Sequence, residues 1–266
     1  MELLAGSLTT GLTRATNARA ARHVGVARRH KAIAFDAFPI FDPRPIFKLT
    51  ETLFPGKGME FSQAWRTRQF EYQWLRALGG RYVDFWQTTE DALVFASKSI
   101  KLDLTPDKRD QLMQAYLQLN AWPDVPAALM RLKAAGIRLA FLSNMTRKML
   151  EINIAHAGLD GMFEHILSTD QVRSYKPDPK AYALGVKALA LKREEIVFAA
   201  FAGWDAVGAK WYGYSVVWVN RLSSAPEELG VAANATGSGM EELVRFVSSP
   251  PANSGQVHTS AQVVPR

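Results

Sequence analysis

Between Trp122 and Val219 short apolar runs alternate with amphipathic segments. Helices are predicted over 125–135, closed by Gly136, over 149–157, closed by Gly158, over 179–190, and over 206–212, closed by Gly213. Strands are predicted over 138–142, 165–168, 196–201 and 215–219. This rhythm specifies an α/β fold with a doubly wound parallel sheet, because parallel strands need helical crossovers.

One more strand precedes this region. Ala32-Ile-Ala-Phe35 is apolar and ends abruptly at Asp36, with Phe38-Pro39 turning the chain directly after it. A buried strand that stops at an acid places that acid at the carboxyl edge of the sheet, where open α/β sheets bind ligands. A carboxylate there can act as nucleophile, base or metal ligand. The plainer alternative is a solvated turn acid.

From 46 to about 120 the pattern is helical throughout. Trp65, Phe70 and Trp74 fall near helical spacing, with Ser62 as a candidate cap, and further helices are predicted over 82–98 and 106–119. The expected organisation is a core of 31–45 and 120–247, interrupted by a helical cap at 46–119. A basic extension (1–30) precedes it and a Ser-, Pro- and Gln-rich tail (248–266) follows.

Several function classes drop out. There is no cysteine, which excludes a disulfide framework, a thiol nucleophile and a Cys-bound zinc. The five histidines show no ligand spacing, so no metal is expected. No apolar run reaches membrane-spanning length. Up to Lys31 six basic residues face Glu2 alone, so residues 1–31 carry +5 of the net charge of +7. The body is close to neutral, which argues against nucleic-acid binding. The extension lacks an apolar stretch after its basic residues and reads as a disordered or weakly helical leader. A cytoplasmic protein is expected, with export left open by that leader.

Three strands therefore end in polar groups: Asp36, Ser143-Asn144, and Trp204-Asp205. A fourth loop carries Ser174-Tyr-Lys-Pro-Asp178. Strand ends of one parallel sheet share an edge, so these groups converge. The set resembles the haloacid dehalogenase superfamily and, more narrowly, its type II L-2-haloacid dehalogenases. The likeness spans about 31–221. It rests on Phe35-Asp36, Leu142-Ser143-Asn144, Tyr175-Lys176-Pro177-Asp178 with Tyr182, and Trp204-Asp205-Ala206 with Gly208-Ala209. In the helical block Trp65-Arg66, Glu71-Tyr72, Trp74-Leu75 and Arg81-Tyr82 with Phe85 look like the family's cap.

The resemblance implies a Rossmann-like core and a metal-independent, cofactor-free hydrolysis of short (S)-2-haloacids to 2-hydroxyacids. Asp36 attacks C2 and forms an ester as halide leaves. Lys176 keeps Asp36 ionised and oriented. Arg66, with Asn144 and Phe85, receives the halide. Ser143 binds the substrate carboxylate, and Asp205 supports the water that opens the ester. Phe38, Tyr182 and Trp204 line the site. The partners implied are a small haloacid and water, and cap helices in this family often mediate homodimers. Without the resemblance, Lys176 reads as a turn lysine, Arg66 as a helix-face charge, Asp205 as a helix N-cap, and Tyr182 and Trp204 as core.

Position 38 discriminates within the superfamily. Phosphatases of this fold usually carry a second Asp there to protonate a leaving oxygen, and the backbone carbonyl at that position helps bind magnesium. Halide needs no proton, so Phe38 favours carbon–halogen chemistry. Three departures cut the other way. Pro39-Ile40 stands where the family usually has Gly-Thr, and Ala200 and Ala202 stand where Ser and Asn usually flank the hydrolytic water. A catalytically weak relative that binds a small carboxylate is the runner-up, and a magnesium-dependent phosphatase the third reading.

Overall fold

The computed structural model describes residues 30–249. The expected basic leader and Ser- and Pro-rich tail lie, apart from His30 and Ser248-Ser249, outside the described residues.

Six strands form one sheet in the order β3-β2-β1-β4-β5-β6, with every neighbouring pair parallel. They are β1 (Ala32–Phe35), β2 (Arg138–Ser143), β3 (His165–Ser168), β4 (Ile196–Ala200), β5 (Ser215–Val219) and β6 (Ala235–Gly237). The chain moves outward on one side of β1 and then returns to its other side. The strand order therefore switches between β1 and β4, and a crevice opens at their carboxyl ends.

The strands read as continuous apolar runs because both sheet faces are covered. Ile33 and Phe35 face a core shared with α5 (Val125–Ala134), α6 (Arg147–His156) and α9 (Met240–Ser248). Ala32 and Ala34 face the opposite layer, packed by α7 (Pro179–Leu189) and α8 (Gly203–Tyr212). Helix starts follow local chemistry. Thr146 caps α6 through Met149 N–H at 3.1 Å, and Asp178 caps α7 just before Pro179. In α8 a Cβ on Gly208 would lie 2.5 Å from the Tyr182 hydroxyl and 2.7 Å from Pro177, so only glycine permits this close approach to α7.

Between β1 and α5 stand four helices: α1 (Arg44–Leu53), α2 (Gly58–Leu78), α3 (Phe85–Ser99) and α4 (Pro106–Ala115). They form the cap over the sheet's carboxyl edge, with Phe61, Trp65, Leu93 and Leu112 packed inside.

Several local expectations need correction. Ser62 lies inside α2 rather than capping it, and its hydroxyl bonds back to Met59 O. The third cap helix starts at Phe85, because Asp84 accepts Gln87 N–H at 2.8 Å and stops the helix from extending back to Tyr82. Helix α8 starts at Gly203, so Asp205 sits within its first turn and Ala202 takes the cap position. The sequence pattern missed β6 and α9. Ala235–Gly237 carries too few apolar residues to signal a strand, and α9 is short.

Candidate active site

Asp36 follows β1 and is 8% exposed. Its own N–H bonds to Ala199 O at 3.0 Å, which anchors it against β4. The turn after it is pinned from outside. Trp122 Nε1 donates to the carbonyls of Phe38 (3.0 Å) and Phe41 (3.1 Å), and the Arg221 guanidinium donates to Pro39 O at 3.0 Å. The Phe38 carbonyl thus already holds a donor at the position where phosphatases of this fold present a magnesium ligand.

The positive charge between the carboxylates is an ammonium. Lys176, only 1% exposed, places Nζ 2.9 Å from Asp36 Oδ1 and 2.5 Å from Asp205 Oδ2. Burial opposes that charge, but Asp205 and Asp36 together overcome it and raise the Lys176 pKa. Asp205 is likewise buried. Burial pushes its pKa up to about 6; Lys176 pulls it down, and the like charge of Asp36 adds to the rise. Tyr182 donates to Asp205 Oδ1 at 2.7 Å and fixes its orientation. Asp36 also receives Ser143 Oγ–H at 3.3 Å and Phe38 N–H at 3.4 Å.

Asn144 locks the loop that carries Lys176. Its Oδ1 accepts the Lys176 N–H at 3.0 Å and the Thr169 hydroxyl at 3.4 Å, and its Nδ2 donates to Gln73 Oε1 at 2.7 Å. The cap grips the same loop. Trp74 Nε1 donates to Lys176 O, Tyr175 donates to Val83 O, and Tyr82 donates to Asp170.

These groups surround a small cavity of about 40 Å³. Asp36, Lys176, Asp205, Ser143, Asn144, Arg66, Phe38, Phe85 and Trp204 all line it. Arg66 reaches in from α2 and makes no hydrogen bond or ion pair among the described residues. Its guanidinium lies 5.7 Å from the Phe70 ring and 5.8 Å from the Phe201 ring. Burial lowers its pKa, yet a guanidinium stays charged in such a place. An unpaired, half-buried cation beside a small cavity is a site for an anion.

Tyr182 corrects one expectation: it is fully buried beneath Asp205 and does not line the cavity. The three departures separate as well. Ala202 lines the cavity, whereas Ile40 and Ala200 are completely buried in the two core layers. The sequence reading missed Phe47, Gln69, Phe70, Gln73 and Tyr116. Gln69, Phe70 and Gln73 follow Arg66 by three, four and seven residues, which places all four on one helical face. That spacing was the signal available.

A parallel sheet with a helical cap, and a lysine joining two acids beneath it, define a hydrolase of the capped Rossmann-like class. The family model "haloacid dehalogenase-like hydrolase" matches residues 6–213. An (S)-2-haloacid dehalogenase of Pseudomonas sp. (strain YL) is 43% identical over 201 residues, covering 75% of this chain and 87% of that one. Haloacetate dehalogenase H-2 of Moraxella sp. (strain B) is 38% identical, covering 83% of this chain and 99% of its own. A crystal structure of the L-2-haloacid dehalogenase from Xanthobacter autotrophicus with chloropropionic acid covalently bound superposes with a TM-score of 0.76. Its identity is 33%, over 82% of this chain and 98% of that one. The chain belongs to the haloacid dehalogenase-like hydrolases and, among them, to the L-2-haloacid dehalogenases.

Proposed function

We propose that this protein hydrolyses short (S)-2-haloacids to 2-hydroxyacids through an ester on Asp36, without a metal. The observation that carries this is the buried Lys176 ammonium between Asp36 and Asp205, facing a cavity that also holds the unpaired Arg66. In the first step an Asp36 oxygen bonds to C2 and the carbon–halogen pair leaves on the halide. Lys176 holds Asp36 in place through its ammonium, Ser143 takes the substrate carboxylate, and Arg66 receives the halide beside Phe85. In the second step water attacks the ester carbonyl and gives a proton to Asp205. The alkoxide leaves and takes that proton back from Asp205, departing as the 2-hydroxyacid, and the second water proton is released to solvent as Asp36 returns to its carboxylate.

Halide release from (S)-2-chloropropionate tests this. Activity is expected to survive EDTA, because Lys176 supplies the charge a divalent ion would bring. Loss of activity in EDTA with recovery in magnesium, or turnover of p-nitrophenyl phosphate in its place, would defeat the reading.

The Asp205 pKa gives a second outcome. As a base Asp205 must be ionised, so steady-state turnover should fall about tenfold per pH unit below about pH 6. The fold should not fail in that range. A carboxyl whose folded pKa lies above its unfolded value contributes stability that is fully present below the unfolded value and is lost as pH rises through about 6. Full activity therefore returns on readjustment to pH 7.5. A turnover flat down to pH 4.5 would remove Asp205 from the base role.

We read 46–119 as the cap and 31–45 with 120–247 as the core. Among the described residues no helix is long and apolar enough to cross a membrane, and we place the protein in the cytoplasm. Leu75 and Leu78 stand 61% and 88% exposed one turn apart on α2. This apolar cap surface supports a homodimer, and Leu75→Glu with Leu78→Glu should halve the mass seen by light scattering.

A further inference from the structure

Gln73 lies seven residues after Arg66 on α2, about 10.5 Å along the same helical face. Its side chain is completely buried and lines the cavity. A chain of hydrogen bonds fixes which way its amide faces. The Lys176 main-chain N–H can only donate, so the Asn144 atom 3.0 Å from it is the acceptor Oδ1. Asn144 Nδ2 is then the donor, and the Gln73 atom 2.7 Å away is the acceptor Oε1. Gln73 Nε2 remains, and it has no partner among the described residues. A buried N–H without an acceptor is disfavoured unless a ligand supplies one. The same cavity wall carries the Arg66 guanidinium, also without an acceptor among the described residues.

We propose that Gln73 Nε2, together with Arg66, binds the departing halide and sets the leaving-group preference. This rests on the dehalogenase reading above. Backside displacement places nucleophile and leaving group on opposite sides of C2. Asp36 enters the cavity from the sheet edge, whereas Arg66 and Gln73 enter from the cap helix. As the Asp36 oxygen bonds to C2, the electron pair of the carbon–halogen bond stays with the halide. The Gln73 and Arg66 N–H groups keep their protons and donate hydrogen bonds to that anion. The substrate carboxylate lies to the side, by Ser143. Fluoride is the strongest hydrogen-bond acceptor and the poorest leaving group of the series, so it depends most on Gln73.

The test is first-turnover halide release from (S)-2-fluoro-, 2-chloro- and 2-bromopropionate by the wild type, Gln73→Leu and Gln73→Glu. Glutamate keeps an oxygen towards Asn144 and puts an acceptor where the donor was. Both variants should lose about 10- to 100-fold in first-turnover rate with the fluoroacid, and less than about threefold with the bromoacid. The half-saturating concentration should stay within about twofold, and inhibition by added chloride should weaken in both. Should Gln73→Leu fail to fold, Gln73→Glu and the chloride inhibition decide. Unchanged rates would overturn the proposal. So would equal losses for all three halogens with a raised half-saturating concentration, which would place Gln73 on the carboxylate. No halide from the wild type with any of the three acids would remove the dehalogenase reading itself, an outcome visible before any variant is made.

Discussion

Asp36→Asn abolishes halide release, by on the order of 10⁴-fold or more, and leaves the protein folded. The loss is large because displacement needs an anionic oxygen at C2, and an amide oxygen forms no stable ester. Asp205 cannot substitute. It is 1% exposed and held by both Lys176 and Tyr182. The fold survives because asparagine matches aspartate in shape and still offers Lys176 an oxygen at the 2.9 Å position. Lys176 keeps its full charge partner in Asp205, so no buried charge is left alone. Removing the Asp36 charge also relieves a repulsion that raises the Asp205 pKa, so Asp205 becomes easier to ionise. Circular dichroism should match the wild type, and mass spectrometry should find no adduct after exposure to 2-chloropropionate. Turnover by the purified variant at more than about 1% of wild type would end the covalent mechanism.

What the sequence made legible was the part governed by short-range rules. Strand β1 was readable because Ala32–Phe35 is apolar on both faces and stops at an acid. The convergence of Asp36, Ser143 and Asp205 followed from their places at strand ends of one parallel sheet, and Lys176 joined them through its motif. Tertiary direction was not legible. Tyr182 sits on α7 with its ring among Phe198, Tyr212 and Tyr214, and only its hydroxyl reaches Asp205. Nothing in the spacing distinguishes a side chain that faces a cavity from one that supports a cavity residue from behind. The same limit applies to Ile40 and Ala200, whose positions suggested lost site contacts but whose side chains pack in the core. Gln73 was readable in principle, since its spacing from Arg66 repeats the helical face. Its importance depends on an amide orientation that only the partner Asn144 reveals.

Ester hydrolysis is expected to be slower than ester formation. In the proposed mechanism displacement needs Asp36, Lys176 and Arg66, and the structure brings these three side chains to one cavity. Hydrolysis also needs a directed water. Asp205 is the proposed base, but Ala202, which lines the cavity where the family usually has asparagine, offers no polar side-chain atom. It also leaves the start of α8 without a side-chain cap. Displacing a nucleophile by about 1 Å can cost on the order of 100-fold in rate. Stopped-flow measurement should therefore show a burst of about one halide per site followed by slow turnover, with a mass increase on the Asp36 peptide. Ala202→Asn should raise the slow phase by about 10- to 100-fold with the burst unchanged. It should also raise the melting temperature, because a capping side chain at that position adds about 0.5–2 kcal/mol. Ala200→Ser alone should move the slow phase less than about threefold, since its hydroxyl would enter the packed layer around Tyr182 and Ala206 rather than the cavity. Halide release that is linear from the first turnover, with no trapped adduct, would show that another group directs the water. Asp205, held by Lys176 and Tyr182, would then be sufficient to aim it.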